Sequence, residues 1–387
     1  MILRPGKDAR LAGGHLWIYA GEIARIEGAV ADGGIVDVRT AEGRWVGRGF
    51  LNRQSTLTVR LLTRHPEEID DTFLRRRLEQ AVTYRRRVVG DATAYRVVFG
   101  EGDALPGLIV DRYGAILVVQ TLALGMDVRK TTLVDQLIAL HRPTAIFERN
   151  DPAVRRLEGL PVQTGWLYGV TDSRCEIREG PTRLLVDVAR GQKTGFFLDQ
   201  RENRAAVAAY LQGAEVLDAF CYTGGFAVHA ALAGARQIHG IDSSEEAIAL
   251  ARENVALNGL ADQCTFAVAN VFDALRELVA EGRRFDAVIL DPPAFARTKD
   301  ALPRAIGGYK EINLRALKLV RPGGLLVSCS CSYHMGAPLL QQIVASAAVD
   351  AHRTVRLIER RGQGRDHPVH PAIPETDYLT CLILEVL

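Results

Sequence analysis

The hydrophobic pattern changes character along the chain. Up to about residue 70, short apolar runs are separated by turn signals. Asp32-Gly33-Gly34 falls between two such runs, and RWVGRGFLN and LTVRLLT follow as strand candidates, so residues 1–70 are predicted to form a small β-rich domain. From Thr72 to Gly90 the period lengthens to that of a helix, with Leu74, Leu78, Ala81 and Val82 on one stripe. Asp71 or Thr72 is expected to cap its start and Gly90 to end it. AYRVVFG and GLIVDRYGAILVVQTL read as strands with a turn at Tyr113-Gly114, TTLVDQLIALH as a helix and TAIFERN as a strand. Residues 71–175 are predicted to be an α+β domain.

From 176 to 387 buried-strand patterns alternate with helical ones: EVLDAF, FAVHAALAG, QIHGID, SEEAIALARENVALNG, FDAVILD, YKEINLRALKLV and GGLLVSCS. Strict alternation of this kind predicts a mostly parallel sheet covered on both faces, an α/β domain.

Composition narrows the picture only a little. Hydrophobic residues make up 48% and charged residues 24%, ordinary for a globular protein. A net charge of +2 does not by itself demand a nucleic-acid partner, so any basic surface must be local. One candidate is the 72–89 helix, where Arg75 to Arg77 and Arg85 to Arg87 form two clusters. Arg75 and Arg86, 11 positions apart, share a helix face and are candidates for phosphate contact. The same arginine-rich domain is a candidate surface for a homodimer. The first residues lack the continuous apolar stretch of a secretory signal, and no apolar run approaches the ~20 residues that span a bilayer. Cytoplasmic location without membrane attachment is expected. The six cysteines form no C-x-x-C pair, so no metal site is expected.

The chemistry concentrates in the last domain. A strand ending at Asp218 runs into the turn Tyr222-Thr223-Gly224-Gly225, and 24 residues later a second strand ends at Asp242, followed by Ser243. Ligands of open α/β sheets sit at the carboxyl ends of strands. There Asp242 can accept from both hydroxyls of a ribose, and Asp218 can pair with a cationic amino group. The turn is not G-x-G-x-x-G, which disfavours a dinucleotide. A third strand ends at Asp291-Pro292-Pro293; two prolines cannot continue a central strand and hold Asp291 at the same edge. A fourth ends in Ser328-Cys329-Ser330, with Cys331 beside it.

These segments resemble class I S-adenosylmethionine-dependent methyltransferases. Asp218 to Gly224 look like the first motif, Asp242 like the ribose acid, and Ala269-Asn270-Val271 like the adenine-contacting loop. DPPAF resembles the fourth motif of nucleic-acid methyltransferases. With Cys329 matching Ser-Cys-Ser, the domain is similar to RNA 5-methylcytosine methyltransferases, in which a cysteine thiolate adds to carbon 6 of the base. The resemblance implies Cys329 as nucleophile and Asp291 as the group that holds the ring edge. One branch of these enzymes has a second cysteine after Pro-Pro, where this chain has Ala294. A related branch methylates guanine and carries Asn residues in place of Ser-Cys-Ser. Cys175, Cys264 and Cys381 read as structural.

DVARGQKTGFFLDQRENR, residues 187–204, resembles the signature of bacterial enzymes of this kind that act on 23S ribosomal RNA and carry an N-terminal PUA domain. The resemblance implies that Phe197 flanks the cofactor, that Asp199, Gln200 and Arg204 bind its polar groups, and that Lys193 reaches substrate phosphate. RPGKDARLAGGHLWIYAGE looks like the opening of a PUA domain, a small RNA-binding β-barrel, and implies RNA contacts from Lys7, Arg10, His15 and Trp17. The competing readings are methylation of a guanine or of a different RNA without covalent catalysis, and a non-catalytic RNA-binding assembly factor.

Overall fold

The computed structural model describes residues 1–296 and 298–387. By internal contacts the chain forms two compact units: Met1–Ile177 with Val186–Leu198 and Arg365–Thr376, and Arg178–Leu185 with Asp199–Gly364 and Asp377–Leu387.

The first unit holds two sheets. One has six short strands in the order Trp17–Tyr19, Leu57–Thr63, Trp45–Leu51, Ile35–Arg39, Ile2–Leu3, Ile23–Arg25, closed over Leu3, Leu11, Ile18, Val38, Leu51, Val59 and Leu61. Gly49 sits where this sheet's register shifts, and a Cβ there would lie 2.1 Å from the Arg60 carbonyl oxygen, so no side chain fits. The second sheet runs Gln163–Tyr168, Ala145–Asn150, Ile116–Thr121, Leu108–Tyr113, Ala94–Phe99. The helices Asp71–Val88 and Lys130–His141 pack on it through Phe73, Leu74, Leu78, Leu133 and Leu137. The first of these helices is capped one residue earlier than its sequence suggests. Asp70 accepts the Phe73 N–H at 2.8 Å, which satisfies one of the amides a helix start leaves unpaired.

Two short excursions belong to this unit through buried polar contacts that no periodicity signals. Thr194 donates to Asp111 at 2.5 Å while Asp111 receives the Arg96 guanidinium at 2.8 and 2.7 Å. The Phe196 N–H reaches the Tyr113 hydroxyl at 3.1 Å. Asp366 accepts the Arg96 N–H at 2.9 Å, and its carbonyl accepts from Arg85 at 2.8 Å.

The second unit is built on a seven-stranded sheet ordered Cys264–Val268, Gln237–Asp242, Glu215–Ala219, Phe285–Leu290, Val320–Ser330, Thr380–Val386, Val355–Arg361. The first five strands are parallel, and Thr380–Val386 runs antiparallel to both of its neighbours. Its central strands are largely apolar: Val216, Leu217, Ala287, Val288, Ile289, Leu326 and Val327 are all buried, as strands covered on both faces require. Strand order reverses between Glu215–Ala219 and Phe285–Leu290, which sets their carboxyl ends side by side at the switch point where such sheets bind ligands. Among the described residues no helix is long and apolar enough to cross a membrane.

Candidate active site

Asp218 is the penultimate residue of the Glu215–Ala219 strand and is fully buried. Among the described residues no side chain donates to its carboxylate oxygens, the Ala227 N–H being the backbone donor that acts on them without a well-formed hydrogen bond, and the hydroxyl of buried Thr223 has no partner. Burial, then the nearby charges of Asp291 and Asp242, push the Asp218 carboxyl well above its ordinary range. A dry carboxylate without side-chain donors is costly, and such a group marks a place for a cationic donor. The backbone after it is strained: Phe220 and Tyr222 take positive φ values of 65° and 49°, followed by Gly224 at 77°. Left-handed non-glycine residues concentrate at functional turns.

Asp242 ends the neighbouring strand, half-exposed, and is held in place by two amides. The Tyr222 N–H donates to one oxygen at 2.9 Å and the Ser244 N–H to the other at 2.9 Å. Each oxygen retains acceptor capacity toward the crevice. Ser243, between them, is exposed. An Asp218 without side-chain donors, a clamped Asp242 and a turn that brings backbone close together fit an S-adenosylmethionine. The first acid would suit its ammonium and the second its ribose.

The fourth motif lies on the adjacent strand. Asp291 directly follows Phe285–Leu290, and its carboxylate accepts from Gln200 at 2.9 Å; Gln200 in turn accepts from Asn203 at 2.7 Å. Phe295, from DPPAF, forms an aromatic cluster with Phe220 (6.4 Å), Phe272 (5.8 Å) and Tyr309 (4.8 Å). All three phenylalanines are only partly buried and pack against the core of the unit. Sequence reading did not single them out. The aromatic in DPPAF was the available signal, and the other two meet it only in three dimensions.

Several expected roles change with the geometry. Cys329 lies within the Val320–Ser330 strand without exposed surface, opposite Cys381 on the next strand. The hydrogen bond to the Cys381 thiol, then burial, push its own thiol well above the usual range. A sealed thiol with a raised pKa supplies little thiolate, although Asp291 and Gln200 also act on it. Cys331 instead stands just past the strand end, half-buried, with Sγ 3.9 Å from the Pro292 carbonyl oxygen of the DPPAF turn. Arg204 is buried and bound to Glu179 through both Nε (2.9 Å) and Nη2 (2.5 Å). Asn270 caps the Val271–Ala280 helix, its oxygen accepting from Phe272 at 2.9 Å, so that acceptor is already engaged; Val271 is buried in the core. Asp199 accepts the Tyr378 hydroxyl at 2.7 Å. Cys264 is pushed to about 12 by burial, as a structural thiol should be.

The remaining expected residues lie in the first unit. Phe197 and Lys193 belong to its 186–198 excursion, the ammonium 4.6 Å from the ring centre. Lys7 is exposed. Arg10 is tied to Glu22 at 2.8 Å and to the Trp17 carbonyl at 3.0 Å, with His15 buried beside it. The Trp17 indole donates to Glu101 at 2.9 Å. Arg10, His15 and Trp17 therefore hold the module together, which accounts for them without a ligand. Arg75 pairs with Glu79 at 3.0 Å, whereas Arg86 is exposed.

A parallel sheet of this order, with acids at the ends of its central strands, defines a Rossmann-like methyltransferase domain. The S-adenosylmethionine-dependent methyltransferase family matches residues 151–377, and a PUA-like domain matches residues 1–64. The chain is 43% identical to a ribosomal RNA large subunit methyltransferase I from Shewanella amazonensis, covering 99% of this chain and 98% of that one. It is 42% identical to the protein of the same name from Aeromonas hydrophila, with the same coverage. Its fold superposes on SMU.776, a methyltransferase solved with S-adenosylhomocysteine, at a TM-score of 0.85 and 20% identity over 100% of this chain and 99% of that one. The chain belongs to the S-adenosylmethionine-dependent methyltransferases that carry an N-terminal PUA-like domain.

Proposed function

We propose that this enzyme methylates carbon 5 of a cytosine in large-subunit ribosomal RNA, with Cys331 as the nucleophile. The full-length relatives bear the name of a ribosomal RNA large subunit methyltransferase, and the PUA-like module suits structured RNA. The observation that carries the mechanism is the position of the Cys331 thiol, half-exposed past the strand end and against the Asp-Pro-Pro turn.

S-adenosylmethionine, when bound, supplies an electrophilic methyl group; Asp218 and Asp242 are the residues proposed to hold it, with the 220–224 turn. A flipped cytosine enters with its N3 and amino edge toward Asp291, whose carboxyl Gln200 orients. The Cys331 thiolate adds to carbon 6, the new C–S bond drawing on the C5–C6 double bond and leaving carbon 5 electron-rich. After methylation carbon 5 gives up its proton to a base. The C–S electron pair then leaves with sulfur, and the C5–C6 double bond closes again. Of the first-unit residues, Lys7 and Lys193 remain as proposed phosphate contacts. The half-exposed edge strand Gln163–Tyr168, flanked by exposed Leu157 and Val170, suits pairing with a second copy, to be read by light scattering.

The test is methyl transfer to a 23S ribosomal RNA transcript by Cys331→Ala and Cys329→Ala proteins, each with RNA containing cytidine or 5-fluorocytidine. The Cys331 variant should lose transfer, and the wild type should form a denaturant-stable adduct with the fluorinated RNA that Cys331→Ala does not form. Full activity and adduct formation in Cys331→Ala would remove that thiol from the mechanism. Methylated guanine in the wild-type product would replace the cytosine reading.

A further inference from the structure

Seven arginines fall between residues 71 and 100, and the fold sorts them. Arg75 pairs with Glu79, Arg76 with Glu67, Arg85 with Asp103 and Arg96 with Asp111. Arg77 is drawn inward, its guanidinium 5.1 Å from the Phe73 ring centre and donating to the Leu62 carbonyl at 3.3 Å. Arg86 and Arg87 are left over. Both are exposed, and among the described residues neither meets a carboxylate; Arg87 lies 5.9 Å from the Tyr84 ring centre.

These two are not isolated. The segment that follows the Asp71–Val88 helix meets the ends of two other elements at the 113–115 turn: the Gly114 N–H donates to the Thr93 carbonyl at 2.9 Å and the Thr144 N–H to the Ala115 carbonyl at 2.9 Å. Arg112 is the penultimate residue of the Leu108–Tyr113 strand, and among the described residues its side chain donates to the Gly114 carbonyl at 2.8 Å and meets no carboxylate. Arg142 follows the last residue of the Lys130–His141 helix, exposed and at φ 46°. His141, next to Arg142 in the chain, feels two of these cations: burial first, then the charges of Arg112 and Arg86, hold its ring down to about 4. Cations at helix C-termini offset the macrodipole, which accounts for one charge per helix. It does not account for Arg112, which stands on a strand.

We propose that Arg86, Arg87, Arg112 and Arg142 form a phosphate-binding surface on the α+β domain that engages the backbone of the substrate RNA. The inference rests on the RNA reading above and adds to it a second anchoring surface beyond the PUA-like module. Phosphate contacts position a nucleic acid without reading its sequence, so the patch contributes affinity and orientation, and the choice of cytosine stays with the crevice.

The experiment compares the wild type with an Arg86→Gln/Arg142→Gln protein. Binding of a 23S ribosomal RNA transcript is measured by filter retention across a salt series, alongside S-adenosylmethionine calorimetry and melting temperature. The double variant should bind RNA about tenfold more weakly at ~0.1 M salt. Its slope of log affinity against log salt should fall by roughly 1.5, since each lost phosphate contact removes roughly 0.7 to 0.9. KM for RNA should rise with kcat unchanged, cofactor affinity should stay the same, and Arg86→Lys/Arg142→Lys should restore the slope. An unchanged affinity and slope in a double variant whose melting temperature falls would overturn the proposal and leave these arginines as helix-end charges. Should the wild type itself not bind the transcript, the RNA reading fails with it.

Discussion

Replacing Asp218 by Asn separates what the cofactor needs from what the fold tolerates. The carboxyl is fully buried, and among the described residues no side chain donates to either oxygen. Each unmet buried acceptor costs about 1–3 kcal/mol, more when charged. Asn keeps the shape and removes the charge but buries an amide with its own unmet donor and acceptor, so the gain for the protein without cofactor, about 1–2 kcal/mol, comes from the charge alone and is expected at a pH where Asp218 is ionised. For a unit of this size that raises the melting temperature by roughly 2–8 °C. Cofactor binding moves the other way. A charge-assisted hydrogen bond to an ammonium is worth about 1.5–3 kcal/mol, so affinity for S-adenosylmethionine should fall about 10- to 150-fold. The pH dependence carries the same signature. Burial raises the folded-state pKa of Asp218 above its unfolded value. The folded protein therefore keeps a proton that the unfolded chain has lost, and stability from this group is present at low pH and disappears as pH climbs through the folded value. The Asn variant should be flat in that window. Scanning calorimetry across pH and titration calorimetry with S-adenosylmethionine measure both halves. An Asn variant that melts lower without cofactor and binds it with unchanged affinity would refute the argument, because Asp218 would then be an ordinary structural acceptor.

Other substitutions probe neighbouring claims. With its folded pKa held at about 4 against 6.5 unfolded, His141 should cost the protein about 3 kcal/mol as pH falls from 6.5 to 4; denaturant unfolding of His141→Gln should lack that slope. Arg204→Ala leaves the buried Glu179 carboxylate with His229 Nε2, 3.3 Å away, as its remaining neighbour and should destabilise by about 3–5 kcal/mol, while cofactor affinity of the folded protein changes less than threefold by calorimetry. A large loss of affinity at unchanged stability would return Arg204 to the cofactor. Cys329→Ala should keep methyl transfer within threefold of wild type in the same assay that silences Cys331→Ala, at a stability loss of about 1 kcal/mol for the small void.

The alternation of apolar strands and helices from 176 onward was enough to define the parallel sheet, because strands buried on both faces leave an unmistakable run of apolar residues. Asp218, Asp242 and Asp291 were legible for a related reason: an acid immediately after such a run must stand at the sheet's carboxyl edge. What pattern does not carry is a contact between distant segments. The 365–376 excursion joins the first unit through Asp366, whose partners Arg85 and Arg96 lie 281 and 270 residues away, and no local signal announces such a pairing. Arg204 illustrates the same limit. An arginine near the cofactor segment looks available until Glu179 is found bound to it.

The cysteine assignment turned on the one quantity that periodicity fixes least well, the position of a strand's last residue. Ser328-Cys329-Ser330-Cys331-Ser332 contains the Ser-Cys-Ser triplet twice, and a two-residue shift keeps each thiol on the same nominal face. Sequence alone cannot distinguish a thiol sealed in the ladder from one just beyond it. The ladder decides it: pairing with the Thr380–Val386 strand continues through Ser330 opposite Thr380 and stops there. Cys329 is thereby enclosed against Cys381, and Cys331 is the first thiol released toward the Asp-Pro-Pro turn. A functional position is thus set by where backbone pairing ends, and the nucleophile proposed for this enzyme follows from the last rung of a sheet more directly than from the motif that first drew attention to it.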